Sequence, residues 1–226
     1  MTLDFYFDFV SPYAYVAWHK IYKVAARHGR TVKLHPVLFA AMLDHFGHKG
    51  PAEIPPKRLY LFKNVFRLAH AIGVVLEPPP AHPFNPLLAL RVAGLDMPED
   101  EQRRAVDALY SAAWAGGPGV TEPHAVAKTL TAAGLDGSTL VARAKESEAK
   151  ARLRAVTDAA IARGVFGVPT VFAGEELFWG VDSFPHVDAF LAGRDPVPDD
   201  LITRWRHIPA QARRSSDSSR SDRNQH

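Results

Sequence analysis

The first residues, Leu3-Asp4-Phe5-Tyr6-Phe7-Asp8-Phe9, alternate apolar and polar side chains and are dense in aromatics, the pattern of a strand that opens a sheet. Ser11-Pro12 follows at once, a preferred N-cap and a preferred first helical residue. Ala14, Val16, Ala17, Trp18, Ile21, Val24 and Ala25 then carry helical spacing up to Gly29, a C-cap signal. Thr31 to Phe39 reads as a second strand, with Pro36 marking an edge or a bulge. Strand, helix and strand within forty residues make a βαβ unit.

The middle changes character. His45 to Pro56 is a loop rich in Gly, Pro and His, and Lys57 to Ile72 has helical spacing. After the proline-rich Glu77 to Pro83, helices are expected over Pro86–Gly94, Glu99–Ala115, Glu122–Ala133 and Ser138–Arg163. Strand patterning returns only at Pro169–Phe172 and Leu177–Trp179, which flank a hairpin turn, and a short helix from Ser183 to Leu191 ends at Gly193. The expected fold is therefore α/β: a sheet built as βαβ then ββα from residues 1–56 and 164–193, interrupted by an all-helical insertion over 57–163. Residues 194–226 form a C-terminal extension.

The sequence contains no cysteine, so disulfides, thiolate metal sites and a cysteine nucleophile are all removed. A disulfide oxidoreductase is thereby excluded, and any thiol chemistry has to come from a bound small molecule. The net charge of +3 does not indicate nucleic acid. From Gln211 to His226, four arginines (213, 214, 220, 223) against two aspartates (217, 222) give +2, leaving +1 on residues 1–210. That Ser/Arg/Asp tail has the composition of a disordered, solvated end. No apolar run is long enough to span a bilayer, so no membrane partner is expected. The acidic, alternating N-terminus does not read as a signal peptide, and the expected location is the cytoplasm.

Three short constellations carry candidate chemistry. Ser11 sits where the first strand hands over to the first helix, at the carboxyl end of the sheet, where open α/β folds bind ligands. The helix start offers unpaired N–H groups and a positive dipole end, and the hydroxyl offers one more hydrogen bond, a setting suited to a thiolate. Read alone, Ser11 is also an ordinary cap. In Gly164-Val165-Phe166-Gly167-Val168-Pro169-Thr170, the Val-Pro step is either a cis turn that exposes valine's N–H and C=O to a peptide-like ligand, or an edge strand that begins with proline. In Phe178-Trp179-Gly180-Val181-Asp182-Ser183, Asp182 caps the last helix or receives a ligand ammonium group. The sequence shows no G-x-S-x-G elbow, no metal-ligand spacing and no phosphate-binding glycine loop.

Together, Phe5-Tyr6-Phe7-Asp8-Phe9-Val10-Ser11-Pro12, Gly167-Val168-Pro169 and Phe178-Trp179-Gly180-Val181-Asp182 resemble the 2-hydroxychromene-2-carboxylate isomerases. These are relatives of the kappa-class glutathione transferases and of the bacterial periplasmic disulfide oxidase. The resemblance runs to about residue 193 and implies a thioredoxin-like domain with a helical insertion. It implies glutathione as cofactor, with its thiol at the catalytic Ser11, its cysteinyl backbone on Val168 beside a cis Pro169, and its γ-glutamyl end near Trp179, Gly180, Val181 and Asp182. It implies cis-trans isomerisation of a conjugated aromatic 2-oxo acid by reversible thiolate addition, a place in aromatic catabolism, and a homodimer.

On the substrate side the family's loop lysine and Asn-Arg pair have no direct counterpart. Lys49, His48 and Lys57 are the candidate carboxylate partners. Asp182-Ser183 stands where Asp-Arg is typical, and Asn64 replaces an aspartate. Phe84 and Asn85, in His82-Pro83-Phe84-Asn85-Pro86, are candidates to stack on and hydrogen-bond the substrate, or simply form a turn before a helix. Trp18, Trp114 and Trp205 are expected to pack. Two rivals accompany the isomerase reading: a kappa-like glutathione transferase or peroxidase, and a non-catalytic thioredoxin-like binding protein.

Overall fold

The computed structural model describes residues 1–198 and 200–209. The expected disorder of the basic tail falls on residues outside that range.

The opening strand β1 (Thr2–Phe7) leads through Asp8–Ser11 into α1 (Pro12–Arg27), and β2 (Thr31–Pro36) runs parallel to β1, from Thr2↔Thr31 to Phe7↔Pro36. Pro36 is the last residue of an edge strand, as expected from its missing N–H. The strand stops at Pro36, short of the expected Phe39, and a short helix, α2 (Phe39–Phe46), follows where no helix was expected. It has no side-chain N-cap and ends on Gly47 at φ 65°, a left-handed C-cap.

The insertion comprises α3 (Pro55–Ala71), α4 (Leu87–Ala93), α5 (Glu99–Trp114), α6 (Pro123–Ala132), α7 (Gly137–Lys145) and α8 (Ser147–Ala162). The long helix expected over Ser138–Arg163 is two helices, because Glu146 adopts an extended backbone (φ −66°, ψ 155°) between them. The sheet then resumes with β3 (Thr170–Ala173) and β4 (Glu176–Trp179), joined by Gly174-Glu175, with Gly174 at φ 67°. A 3-10 turn, Val181–Ser183, leads into α9 (Phe184–Leu191).

The four strands lie in the order β2-β1-β3-β4, with β1 antiparallel to β3 and β3 antiparallel to β4. This is the expected thioredoxin-like sheet with a large helical insertion. Burial follows from the central place of β1. Leu3, Phe5 and Phe7 point into the larger core with α1 and the insertion, whereas Tyr6 points to a smaller core with Met42, Ala160, Val165 and Phe172. Both faces of β1 are therefore covered, and aromatics alternate with little true polarity.

Across the sheet, Arg163 links four groups: its guanidinium reaches Asp4 Oδ2 at 2.7 Å, the Tyr6 hydroxyl at 3.0 Å and the Gly174 carbonyl at 2.9 Å, and lies 3.9 Å from the Phe172 ring centre. Residues Met1–Gly193 form one compact unit. The second unit, from Arg194, contains α10 (Leu201–Arg206) with an Arg204–Asp200 ion pair at 3.2 Å. Trp205 does not pack as expected: it is 64% exposed. Among the described residues, no helix is long and apolar enough to cross a membrane.

Candidate active site

The register of the sheet brings the three constellations to one end. Tyr6 pairs with Thr170 and Thr170 with Trp179, so the end of β1, the start of β3 and the end of β4 coincide. Ser11, Val168-Pro169 and Trp179–Asp182 all lie beyond that edge, as does the chain leaving β2.

Ser11 is the N-cap of α1, nearly buried, and its Oγ accepts a hydrogen bond from Ala14 N–H at 3.2 Å. Capping uses only a lone pair. The hydroxyl hydrogen has no acceptor among the described residues and remains available to an anion at the helix start.

The Val168–Pro169 peptide is cis, and β3, which follows it, is an inner strand rather than an edge. Thr170 Oγ1 donates to Gly167 O at 2.7 Å and Gly180 N–H to Pro169 O at 2.9 Å, so the turn is fixed on both sides. Between them, the N–H and C=O of Val168 have no hydrogen-bond partner among the described residues. Gly167 lets the Trp179 ring approach: a Cβ there would lie 2.7 Å from the indole nitrogen, and the ring would have to shift. Gly180 is required by backbone conformation: φ 89° and ψ 157° is a region essentially restricted to glycine.

Trp179 is 54% exposed and rests against Phe166, ring centres 5.2 Å apart. Asp182 lies within the 3-10 turn and is exposed; it does not cap α9, whose N-cap position is Ser183. Lys20, on α1, donates to the Val181 carbonyl at 3.4 Å. Burial lowers the Lys20 pKa, and the Asp182 carboxylate opposes that shift.

The substrate-side candidates are less gathered. Lys49, in the loop after α2, and Lys57, in the first turn of α3, are both exposed. Phe84 is partly buried, its ring 6.0 Å from that of Trp114. Asn85 is exposed and its Oδ1 accepts from Leu87 N–H at 3.0 Å, so part of its polarity is committed to starting α4. Asn64 donates to the Tyr13 hydroxyl at 3.1 Å, linking α3 to the first turn of α1.

Residues not singled out from the sequence shape the Ser11 loop. Asp8 is fully buried, and its two carboxylate oxygens accept from Val10 N–H at 3.0 Å and Phe39 N–H at 2.9 Å. Burial pushes its pKa up to about 7, against the pull of those two donors. Trp114, read from sequence only as packing, donates its indole N–H to Phe9 O at 2.8 Å. His82 Nε2 lies 3.0 Å from Val10 O. The one available signal was a charged residue, Asp8, between two phenylalanines at a strand end.

A separate open groove of about 860 Å³ lies between α1 and α5, lined by Trp18, Tyr22, Arg103 and Asp107 among others. Its three cations face three carboxylates and it lies away from the strand ends, so we do not assign it to the chemistry.

Residues 2–192 match the family model of the DSBA-like thioredoxin domain. The chain is 30% identical over 185 residues to a 2-hydroxychromene-2-carboxylate isomerase of Pseudomonas putida, covering 80% of this chain and 90% of that one. It is 24% identical to glutathione S-transferase kappa 1 of Caenorhabditis elegans, over 88% of this chain and 95% of that one. Among solved structures, a 2-hydroxychromene-2-carboxylate isomerase superposes with a TM-score of 0.76 at 28% identity, covering 85% of this chain and 95% of the other. The chain therefore belongs to the DSBA-like thioredoxin domain family and, within it, to the family of the 2-hydroxychromene-2-carboxylate isomerases.

Proposed function

We propose that the protein is a glutathione-dependent isomerase of the 2-hydroxychromene-2-carboxylate type. The observation that carries the reading is the pairing, at one sheet end, of a helix-capping serine with a valine: the serine proton and the valine backbone N–H and C=O all lack a partner among the described residues. A small peptide with a thiol matches that set: backbone groups for Val168 and a sulfur for Ser11. Residues Trp179 to Asp182 complete it, with an exposed carboxylate for an α-ammonium group and an exposed indole beside it.

In this reading Ser11 is the catalytic group: its O–H and the first N–H groups of α1 hold negative charge on the sulfur. Val168, beside Pro169, fixes the cysteinyl backbone. Trp179, Gly180, Val181 and Asp182 fix the γ-glutamyl end. When bound, glutathione supplies a thiolate that adds reversibly to a conjugated double bond and so permits rotation about it. On the substrate side, the Phe84 ring is the stacking surface for an aromatic 2-oxo acid, with Asn85 beside it, and Lys49 and Lys57 are the cations for its carboxylate. A cytoplasmic location, expected from the sequence, completes the proposal together with a homodimer and a role in aromatic catabolism, which family resemblance implies.

A kappa-like transferase is the second reading, favoured by the kappa relatives of this chain. Net consumption of glutathione separates the two, since an isomerase regenerates it.

Calorimetric titration with reduced glutathione tests the cofactor site. Saturable binding is expected, weakened about tenfold in Asp182→Ala, the scale of one charge-assisted contact. No binding at millimolar glutathione would overturn the reading and favour a non-catalytic binding protein.

A further inference from the structure

Three consecutive carbonyls lead into Ser11, and each meets a donor from the helical insertion. Tyr110 Oη lies 3.5 Å from Asp8 O, Trp114 Nε1 donates to Phe9 O at 2.8 Å, and His82 Nε2 lies 3.0 Å from Val10 O. A carbonyl only accepts, so His82 carries its proton on Nε2 and donates it. The other ring nitrogen, Nδ1, is buried and has no hydrogen-bond partner among the described residues.

The Val10 contact differs from the other two because it acts on the peptide that carries Ser11. In the Val10–Ser11 peptide the oxygen is held by His82 and the N–H by Asp8 O at 3.1 Å. With both ends held, the plane cannot rotate, and the direction of the Ser11 Cα–Cβ bond is set. The imidazole is itself held by rings: Phe62, Trp114 and Phe84 lie with centroids 5.3, 5.4 and 6.4 Å from it. Burial lowers the His82 pKa. A neutral ring has one N–H, and it is spent on Val10.

We propose that His82 is a positioning residue for Ser11: by clamping the Val10 carbonyl, it aims the serine hydroxyl at the thiol held at the start of α1. The proposal rests on the glutathione reading for its ligand, and on the chain's own geometry for the clamp.

The test compares wild type, His82→Phe and His82→Gln as full chains. Ultraviolet titration reads the thiol of bound glutathione, and calorimetry with S-methylglutathione reads binding that needs no thiol. In His82→Phe the titration midpoint is expected to rise by about one pH unit, a roughly tenfold loss of thiolate below the midpoint, with S-methylglutathione affinity within twofold of wild type. His82→Gln, whose amide retains a donor, is expected to restore most of the shift. An unchanged midpoint in a folded His82→Phe, or loss of S-methylglutathione binding in both variants without a midpoint shift, would overturn the proposal and leave His82 a packing residue.

A second measurement needs neither a folded variant nor a ligand. Imidazole nitrogen chemical shifts of the wild type are expected to show the Nε2–H tautomer, and the Ser11 amide to exchange slowly. An Nδ1–H tautomer would leave Val10 without its donor and refute the clamp. If wild type shows no bound thiolate at all, the glutathione reading fails, while tautomer and amide exchange still decide the clamp.

Discussion

Replacing Ser11 by alanine is expected to raise the pKa of the bound glutathione thiol by one to two units and to lower isomerase turnover by about 10- to 100-fold. Both follow from loss of a hydrogen bond to a charged group, worth roughly 1.5–3 kcal/mol. Ser11 has two separable roles, because its oxygen accepts from Ala14 while its proton has no acceptor among the described residues. Losing the cap is expected to cost about 1 kcal/mol of apo-protein stability, seen as a lower melting temperature. Loss of the donor is seen only in the thiol titration and in turnover. Ser11→Thr retains both functions and is expected to stay close to wild type in both readouts. An alanine variant with the wild-type thiol midpoint but a lowered melting temperature would return Ser11 to a structural cap.

Asp8 gives the second large effect, and its sign is opposite to that of most carboxylates. A folded-state pKa raised to about 7, above the ordinary value of 3.8, means the folded chain holds a proton that the unfolded chain has released. Between about pH 4 and pH 7 this group therefore makes the protein less stable as pH rises, by up to about 4 kcal/mol across the window. The lowered pKa values of His35 and His82, caused first by burial, act the other way as pH rises towards the ordinary histidine value of 6.5. The clean readout is thus a difference. Wild type is expected to lose melting temperature relative to Asp8→Asn as pH rises from 4 to 8. At low pH the variant is expected to be the less stable, because an asparagine has one oxygen for the two N–H groups of Val10 and Phe39. A pH-independent difference would show that Asp8 does not titrate in this window.

The sheet was legible because its signals are local. The aromatic alternation of β1, the Ser11-Pro12 helix start, the proline at the end of an edge strand and the Val-Pro turn into β3 each sit within a few residues. What the sequence did not reveal lacks such markers. The helix α2 is eight residues long with no side-chain cap, and Glu146 breaks 138–163 into two helices with neither glycine nor proline at the break. Asp182 reads as a cap from its place before Phe184, yet a 3-10 turn intervenes.

The site divides the same way. Ser11 and the Val168–Pro169 turn are readable from adjacent residues. The contacts that hold the Ser11 loop join residues far apart in sequence: Asp8 to Phe39, Val10 to His82 and Phe9 to Trp114. No periodicity encodes such pairs. Lys49 and Lys57 carry charge near the expected loop, and both are exposed.

The central claim is that glutathione acts here as a recycled cofactor, and one assay addresses it directly. The purified protein is mixed with 2-hydroxychromene-2-carboxylate and reduced glutathione at a small fraction of the substrate concentration. The account predicts conversion to trans-o-hydroxybenzylidenepyruvate through many turnovers per glutathione, with all the reduced glutathione recovered at equilibrium. Conversion that proceeds equally without glutathione, or that consumes one glutathione per product, would contradict it.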